Sequence, residues 1–132
     1  MPTITIEESE HSYDENEVIT FEEGLIGLPQ MRRAVIIAMN EFEPFCWLAS
    51  TENENTRFIV VNPHNIFAGY EPCLSNTPTK PLTLTIVKIS SDWTKTTVNL
   101  RAPIVIDAET KKGAQHILTE SNYQFAESLP LN

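Results

Sequence analysis

The stretch "TVNLRAPIVIDAET", Thr97 to Thr110, alternates as a strand does and carries a proline in its middle. Its even positions, Val98, Leu100, Ala102, Ile104 and Ile106, are all apolar. The odd ones, Thr97, Asn99, Arg101, Pro103, Val105 and Asp107, are mostly polar. A period of two marks a half-buried strand. Proline donates nothing to a ladder and is tolerated only at an edge or a bulge. The stretch therefore predicts a strand whose apolar face runs unbroken across Pro103, with pairing lost locally at the proline.

Short runs of the same kind recur on both sides of it. Thr3 to Ile6, Val18 to Phe21, Ala34 to Met39, Phe45 to Ala49, Arg57 to Val61, Leu82 to Ile89 and Ala114 to Leu118 are rich in Val, Ile, Thr or aromatic residues. Leu82 to Ile86 alternates cleanly, whereas "RFIVV" is apolar in succession and predicts burial on both faces. Turn-forming stretches separate the runs, among them "GLIGLP", "EFEP", "TENENT", "SSDWTK" and "DAETKKG". No window of helical length shows a helical stripe, and only "ETKKGAQHIL" has room for a helical turn. The expected fold is all-β: a small, partly open antiparallel barrel or roll with at most a short helical turn. The chain, 132 residues, reads as a single domain over 1–132, with 119–132 as a loosely packed C-terminal tail.

The net charge of −9 disfavours direct nucleic-acid binding, which needs cations to displace phosphate counterions. Eight acids precede the first basic residue, Arg32, and suit either a solvated face or docking of a basic protein. The apolar runs are too short to cross a bilayer, and "MPTITIEESE" lacks the basic and apolar regions of a secretory signal. A cytoplasmic protein is expected, with Cys46 and Cys73 as reduced thiols.

Chemistry is sparse. His11, His64 and His116 stand apart without metal-ligand spacing, and four glycines form no phosphate loop. No enzyme, metal or cofactor is predicted. Aromatic residues beside polar ones are the better lead. In "NPHNIFAGYEP", on the long connection Asn62 to Pro81, Phe67 and Tyr70 precede Glu71. Such a group suits a protein-binding patch, and packing of both rings beneath the loop is the competing reading. Trp47 reads as core and Trp93 as a cover for the barrel rim.

Three stretches, "VITFEEGLIGLPQ", "FCWLASTENENTRFIVVNPHNIFAGYE" and "TVNLRAPIVIDAETKKGAQHIL", resemble in order the pattern of the FliW flagellar assembly factors, from Thr3 to Leu118. The resemblance is carried by Asn62, Pro63, Tyr70, Glu71, Asn99, Leu100, Ala102, Pro103, Ile104, Ile106, Gly113 and Gln115. It implies a non-catalytic, cytoplasmic β-barrel, monomeric alone, that binds flagellin and the RNA-binding repressor CsrA. Binding to CsrA away from its RNA groove would relieve repression of flagellin translation allosterically. The resemblance further implies Tyr70 and Glu71, with Phe67 and His64 of the preceding loop, as the partner surface. Asn62 and Pro63 would shape that loop, and Asn99, Leu100, Ala102, Pro103 and Ile104 would be structural. The chain departs from the pattern with Ile26 in place of a proline and Ala49 in place of a glutamine. Two alternatives stand beside this reading: a flagellin chaperone without CsrA binding, and a small-molecule-binding barrel with an open pocket lined by His64 or His116.

Overall fold

The computed structural model describes residues 1–72, 74, 78, 81–119 and 121–130. Eleven strands are formed by these residues: β1 (Thr3–Ile6), β2 (Ser9–Ser12), β3 (Ile19–Thr20), β4 (Arg33–Ala38), β5 (Cys46–Ser50), β6 (Arg57–Val61), β7 (Pro81–Lys88), β8 (Thr97–Val98), β9 (Ile104–Asp107), β10 (Lys112–Gln115) and β11 (Glu127–Ser128). The helical content described is three single 3-10 turns, at Glu15–Glu17, Pro63–Asn65 and Trp93–Lys95.

Seven strands close a barrel in the order β7-β6-β5-β4-β3-β10-β9, with β9 returning to β7. The pairings are antiparallel except for one parallel bridge, Lys112 with Thr20, which joins β10 to β3. The barrel is filled. Phe21, Met31, Ala34, Leu48, Val60, Leu84, Ile104 and Ile106 form its core, with Ile36, Phe58, Leu82 and Ile86 packed against them. From β4 to β9 these inward residues are all even-numbered, as a period of two requires.

The outward residues of two barrel faces are covered by the chain itself. The β1–β2 hairpin lays Ile4, Ile6 and Tyr13 over Val35 and Ala49, and Trp47 packs at the margin, with the Arg57 guanidinium 5.2 Å from its ring. On the next face Tyr70, Val98, Leu100 and Leu129 close over Val61 and Val87. "RFIVV" is therefore buried on both sides, Val60 inward and Val61 outward. Trp93 is 47% exposed and meets Phe45 edge-on at 5.9 Å.

The proline stretch differs from its expected form. Val87 faces Val98, so an unbroken ladder would set Leu84 opposite Arg101; Leu84 faces Ile104 instead, three residues further on. The extra residues form a bulge around Asn99 to Pro103, which is where the lost pairing at the proline falls. An odd-numbered slip reverses the faces of a strand. Val98 and Leu100 consequently point into the outer cluster, while Ile104 and Ile106 point into the barrel. The apolar face is not continuous across Pro103; it changes sides there.

Two further expectations are corrected. "ETKKGAQHIL" makes no helical turn, because Lys112–Gln115 pairs along its length with β9. The segment after 119 does not hang loose in its described part: β11 pairs with β8, Leu129 is buried, and the Gln124 carbonyl accepts from the Leu100 and Arg101 amides. Cys46 is a free thiol, pushed up in pKa by burial and then by Glu43; Cys73 lies outside the described residues.

Candidate partner-binding surface

Three motif residues separated in sequence, Tyr70, Asn99 and Gln115, converge on the bulge. Its backbone has left the ladder, so its polar groups need other partners. Asn99 Oδ1 accepts from the Ala102 amide at 3.0 Å and closes the loop of the bulge. Gln115 Nε2 donates to the Ala102 carbonyl at 3.1 Å, while its Oε1 accepts from the Ile26 amide at 2.9 Å. One glutamine thus ties the bulge to the turn after β3. A proline at 26 would lack the N–H that makes this bond. The Pro103 carbonyl accepts from the His116 amide at 2.9 Å, so a residue without an N–H still contributes to pairing.

Gln115→Leu keeps the bulk and removes both bonds. A loss of about 1–3 kcal/mol is expected, the cost of leaving the partly buried Ala102 carbonyl unsatisfied while the exposed Ile26 amide turns to water, read as a lower urea midpoint with an unchanged slope.

The long loop is pinned to the same bulge. Asn62 begins the 3-10 turn with its side chain accepting from the His64 amide at 3.0 Å, and Pro63 occupies the first position of the turn. Chain direction then brings Tyr70 inward. Its ring is 2% exposed and its hydroxyl donates to the Leu100 carbonyl at 2.7 Å. The ring lies 4.7 Å from that of Tyr123, whose hydroxyl accepts from the Glu71 amide at 2.9 Å. His64 Nε2 faces the Tyr70 carbonyl at 3.0 Å.

Of the four residues expected on the partner surface, the structure therefore separates two from two. Tyr70 is core and Phe67 is partly buried against the same cluster. Tyr70 offers no ring to a partner; it positions the backbone of Glu71. Glu71 and His64 are exposed side chains on a backbone fixed at both ends. Tyr123, which sequence reading did not single out, completes the arrangement, and nothing in its local polar setting marks it as a clamp.

Burial, then the neighbouring Tyr123 phenol, raises the pKa of the Tyr70 hydroxyl far above its ordinary value of about 10. The unfolded chain therefore loses this proton first as pH rises. Stability from Tyr70 is complete below the ordinary tyrosine value and declines as pH climbs above it. In an alkaline titration followed by tyrosinate absorbance, one of the three tyrosines is expected to ionise only with unfolding. Three independent titrations in the folded state would contradict the buried geometry.

Among the described residues the barrel interior is occupied by the packed side chains of its core, and neither His64 nor His116 belongs to that cluster. A groove lined in part by His116 lies outside it. No group of three or more metal-ligating side chains occurs among the described residues. No helix in the described residues is long and apolar enough to cross a membrane.

Comparison with known proteins gives a consistent result. The family model described as "FliW protein" matches residues 3–129. The flagellar assembly factor FliW of Clostridium beijerinckii is 33% identical over 129 residues, covering 91% of this chain and 92% of that one. Its counterpart in Thermosipho africanus is 36% identical over 126 residues, covering 88% and 87%. A crystal structure of a flagellar assembly factor FliW superposes with a TM-score of 0.88 at 26% identity, covering 98% of this chain and 97% of that one. With Tyr70, Asn99 and Gln115 of the motif bound to one bulge and the match running through nearly the whole barrel, the chain belongs to the FliW family of flagellar assembly factors.

Proposed function

We propose that the protein is a non-enzymatic, cytoplasmic assembly factor that binds flagellin and a CsrA-type RNA-binding repressor, and relieves repression of flagellin translation by allosteric antagonism. The observation that carries this reading is the loop ending in Glu71. Its backbone is anchored through Tyr70 to the bulge and through Tyr123 to the C-terminal segment, while the Glu71 carboxylate remains outside. A carboxylate on rigid backbone recognises a cation with little ordering cost. A protein of net charge −9 suits a repressor that must be basic to hold RNA, and complementary charge speeds their encounter.

Calorimetric titration with the CsrA-type repressor of the same organism, at low and high salt, tests the proposal. Tight binding that salt weakens is the expected result. Glu71→Lys is expected to lower affinity at least tenfold, about 1.4 kcal/mol, with an unchanged melting temperature. Unchanged affinity in the folded variant removes Glu71 from the interface. Absence of heat at either salt, with flagellin still bound, leaves a flagellin chaperone without CsrA binding.

A further inference from the structure

The barrel has a third outer face, built from β9, β10 and the turn after β3, and this one carries a groove of about 740 Å³. Glu22, Glu23 and Ile26 line it from the turn after β3, Asp107 and Ala114 from the strands β9 and β10, and His116 from just past β10. The groove lies beside the weakest seam of the barrel. β10 pairs with β9 along four residues but with β3 through the single pair Lys112 and Thr20. The bridge to β3 takes the Lys111 carbonyl and the Gly113 amide, and beyond that amide the edge of β10 away from β9 has no strand partner among the described residues.

Backbone direction makes this edge usable. The amides of His116 and Leu118 donate across to Pro103 and Arg101. Along a strand, amides alternate in direction, so those of Gln115 and Ile117 point to the opposite edge. The Gln115 side chain holds the Ile26 amide, which fixes the facing wall. Of the exposed apolar side chains, Ile26 lines the groove and is 52% exposed, and Ile117, two residues past β10, is 48% exposed. Charge is unbalanced, with Glu22, Glu23 and Asp107 against Lys112, which already approaches Glu22 at 3.7 Å.

An open strand edge is a template for another strand. A second copy of this chain would bring the same carboxylates face to face, which disfavours self-pairing. We propose that the groove receives an extended segment of a partner protein, added as a strand along Gly113 to Ile117. Alternate lysine or arginine residues would face Glu22, Glu23 and Asp107, and apolar residues would face Ile26 and Ile117. This surface lies on a different barrel face from the Glu71 loop and does not depend on the function assigned to that loop.

The probe is a fluorescent eight-residue peptide alternating valine and arginine, titrated into the full chain by anisotropy, with amide shifts mapped by NMR. Saturable binding is expected, with shifts gathered at Gly113 to Ile117 and at Glu22 to Ile26. Methylating alternate peptide amides, which keeps every charge, is expected to abolish it. The double variant Glu22→Lys/Glu23→Lys is expected to weaken it at least tenfold, whereas Glu10→Lys, on the β1–β2 hairpin, leaves it within twofold. Equal binding of the methylated peptide would reduce the effect to net charge and overturn the proposal. So would shifts centred elsewhere, no saturation at millimolar peptide, or a dimer in ultracentrifugation that buries the same amides.

Discussion

Gly24→Ala is expected to destabilise the domain by about 2–5 kcal/mol, a large share of the total stability of a domain this size. Two costs combine. Gly24 has φ of +69°, a left-handed conformation that costs an L-residue about 1–2 kcal/mol. A methyl group there would also meet backbone: the Pro29 carbonyl oxygen at 2.3 Å and its Cα at 2.6 Å. Backbone cannot rotate aside as a side-chain tip can, so the turn must shift, and forced overpacking adds about 1–3 kcal/mol. Gly27, at φ +79° with nothing within 4 Å of a built Cβ, separates the two costs. Gly27→Ala should lose only the conformational part, about 1–2 kcal/mol. Urea unfolding of both variants measures the difference. Equal effects would mean that the Leu25 to Leu28 turn moves freely away from Pro29.

Tyr70→Ala is expected to cost about 3–5 kcal/mol, as for other buried aromatic residues cut to alanine. Its ring holds together Val61, Leu100 and Leu129, and its loss also frees the Leu100 carbonyl and one end of the Glu71 loop. Tyr70→Phe isolates the hydroxyl. It should cost about 1–3 kcal/mol for the unsatisfied carbonyl while the ring stays in place. Because the ring is buried, Tyr70→Phe should leave partner affinity within about threefold, under 1 kcal/mol. A tenfold loss in a folded Tyr70→Phe variant would put the hydroxyl in the interface and contradict its burial.

Reading the sequence found strands where alternation or β-branched runs were strong. Thr3–Ile6 and Arg57–Val61 were located to the residue. It missed β2, and the reason is the turn before it. Glu7 and Glu8 have φ of +50° and +69°, the positive pair that a two-residue type I′ hairpin needs, without the asparagine or glycine that usually signals it. It missed β11 because Glu127–Ser128 is two residues long and is a strand only through its pairing with Val98 and Thr97. Ala114 to Leu118 began two residues late and ended three late, since Lys112 and Gly113 look like turn residues until β9 pairs with them. Gly113 is required there by space: a Cβ would lie 2.6 Å from Phe21 Cε1.

The candidate surface was legible in part. The long loop and its exposed Glu71 were marked by aromatics beside an acid and again by the resemblance, but a tyrosine beside an acid looks the same in sequence whether it faces a partner or the core. Chain direction after the Pro63–Asn65 turn sends Tyr70 inward to the Leu100 carbonyl, and that carbonyl is released from the ladder because β8 and β9 are out of register.

By itself the sequence determined that the chain is a β-protein, which residues alternate, where most turns fall and which family pattern it matches. Those are properties of neighbouring residues, set by period and by backbone preference. Tertiary structure alone decided which face of each strand points inward. Val98 and Ile104 are the clearest case, even-numbered residues of one apparent strand on opposite sides of the barrel wall. Alternation defines two faces but does not orient them. Orientation comes from the register with β7, and a three-residue slip there reverses it, exposing the polar backbone that Tyr70, Asn99 and Gln115 bind.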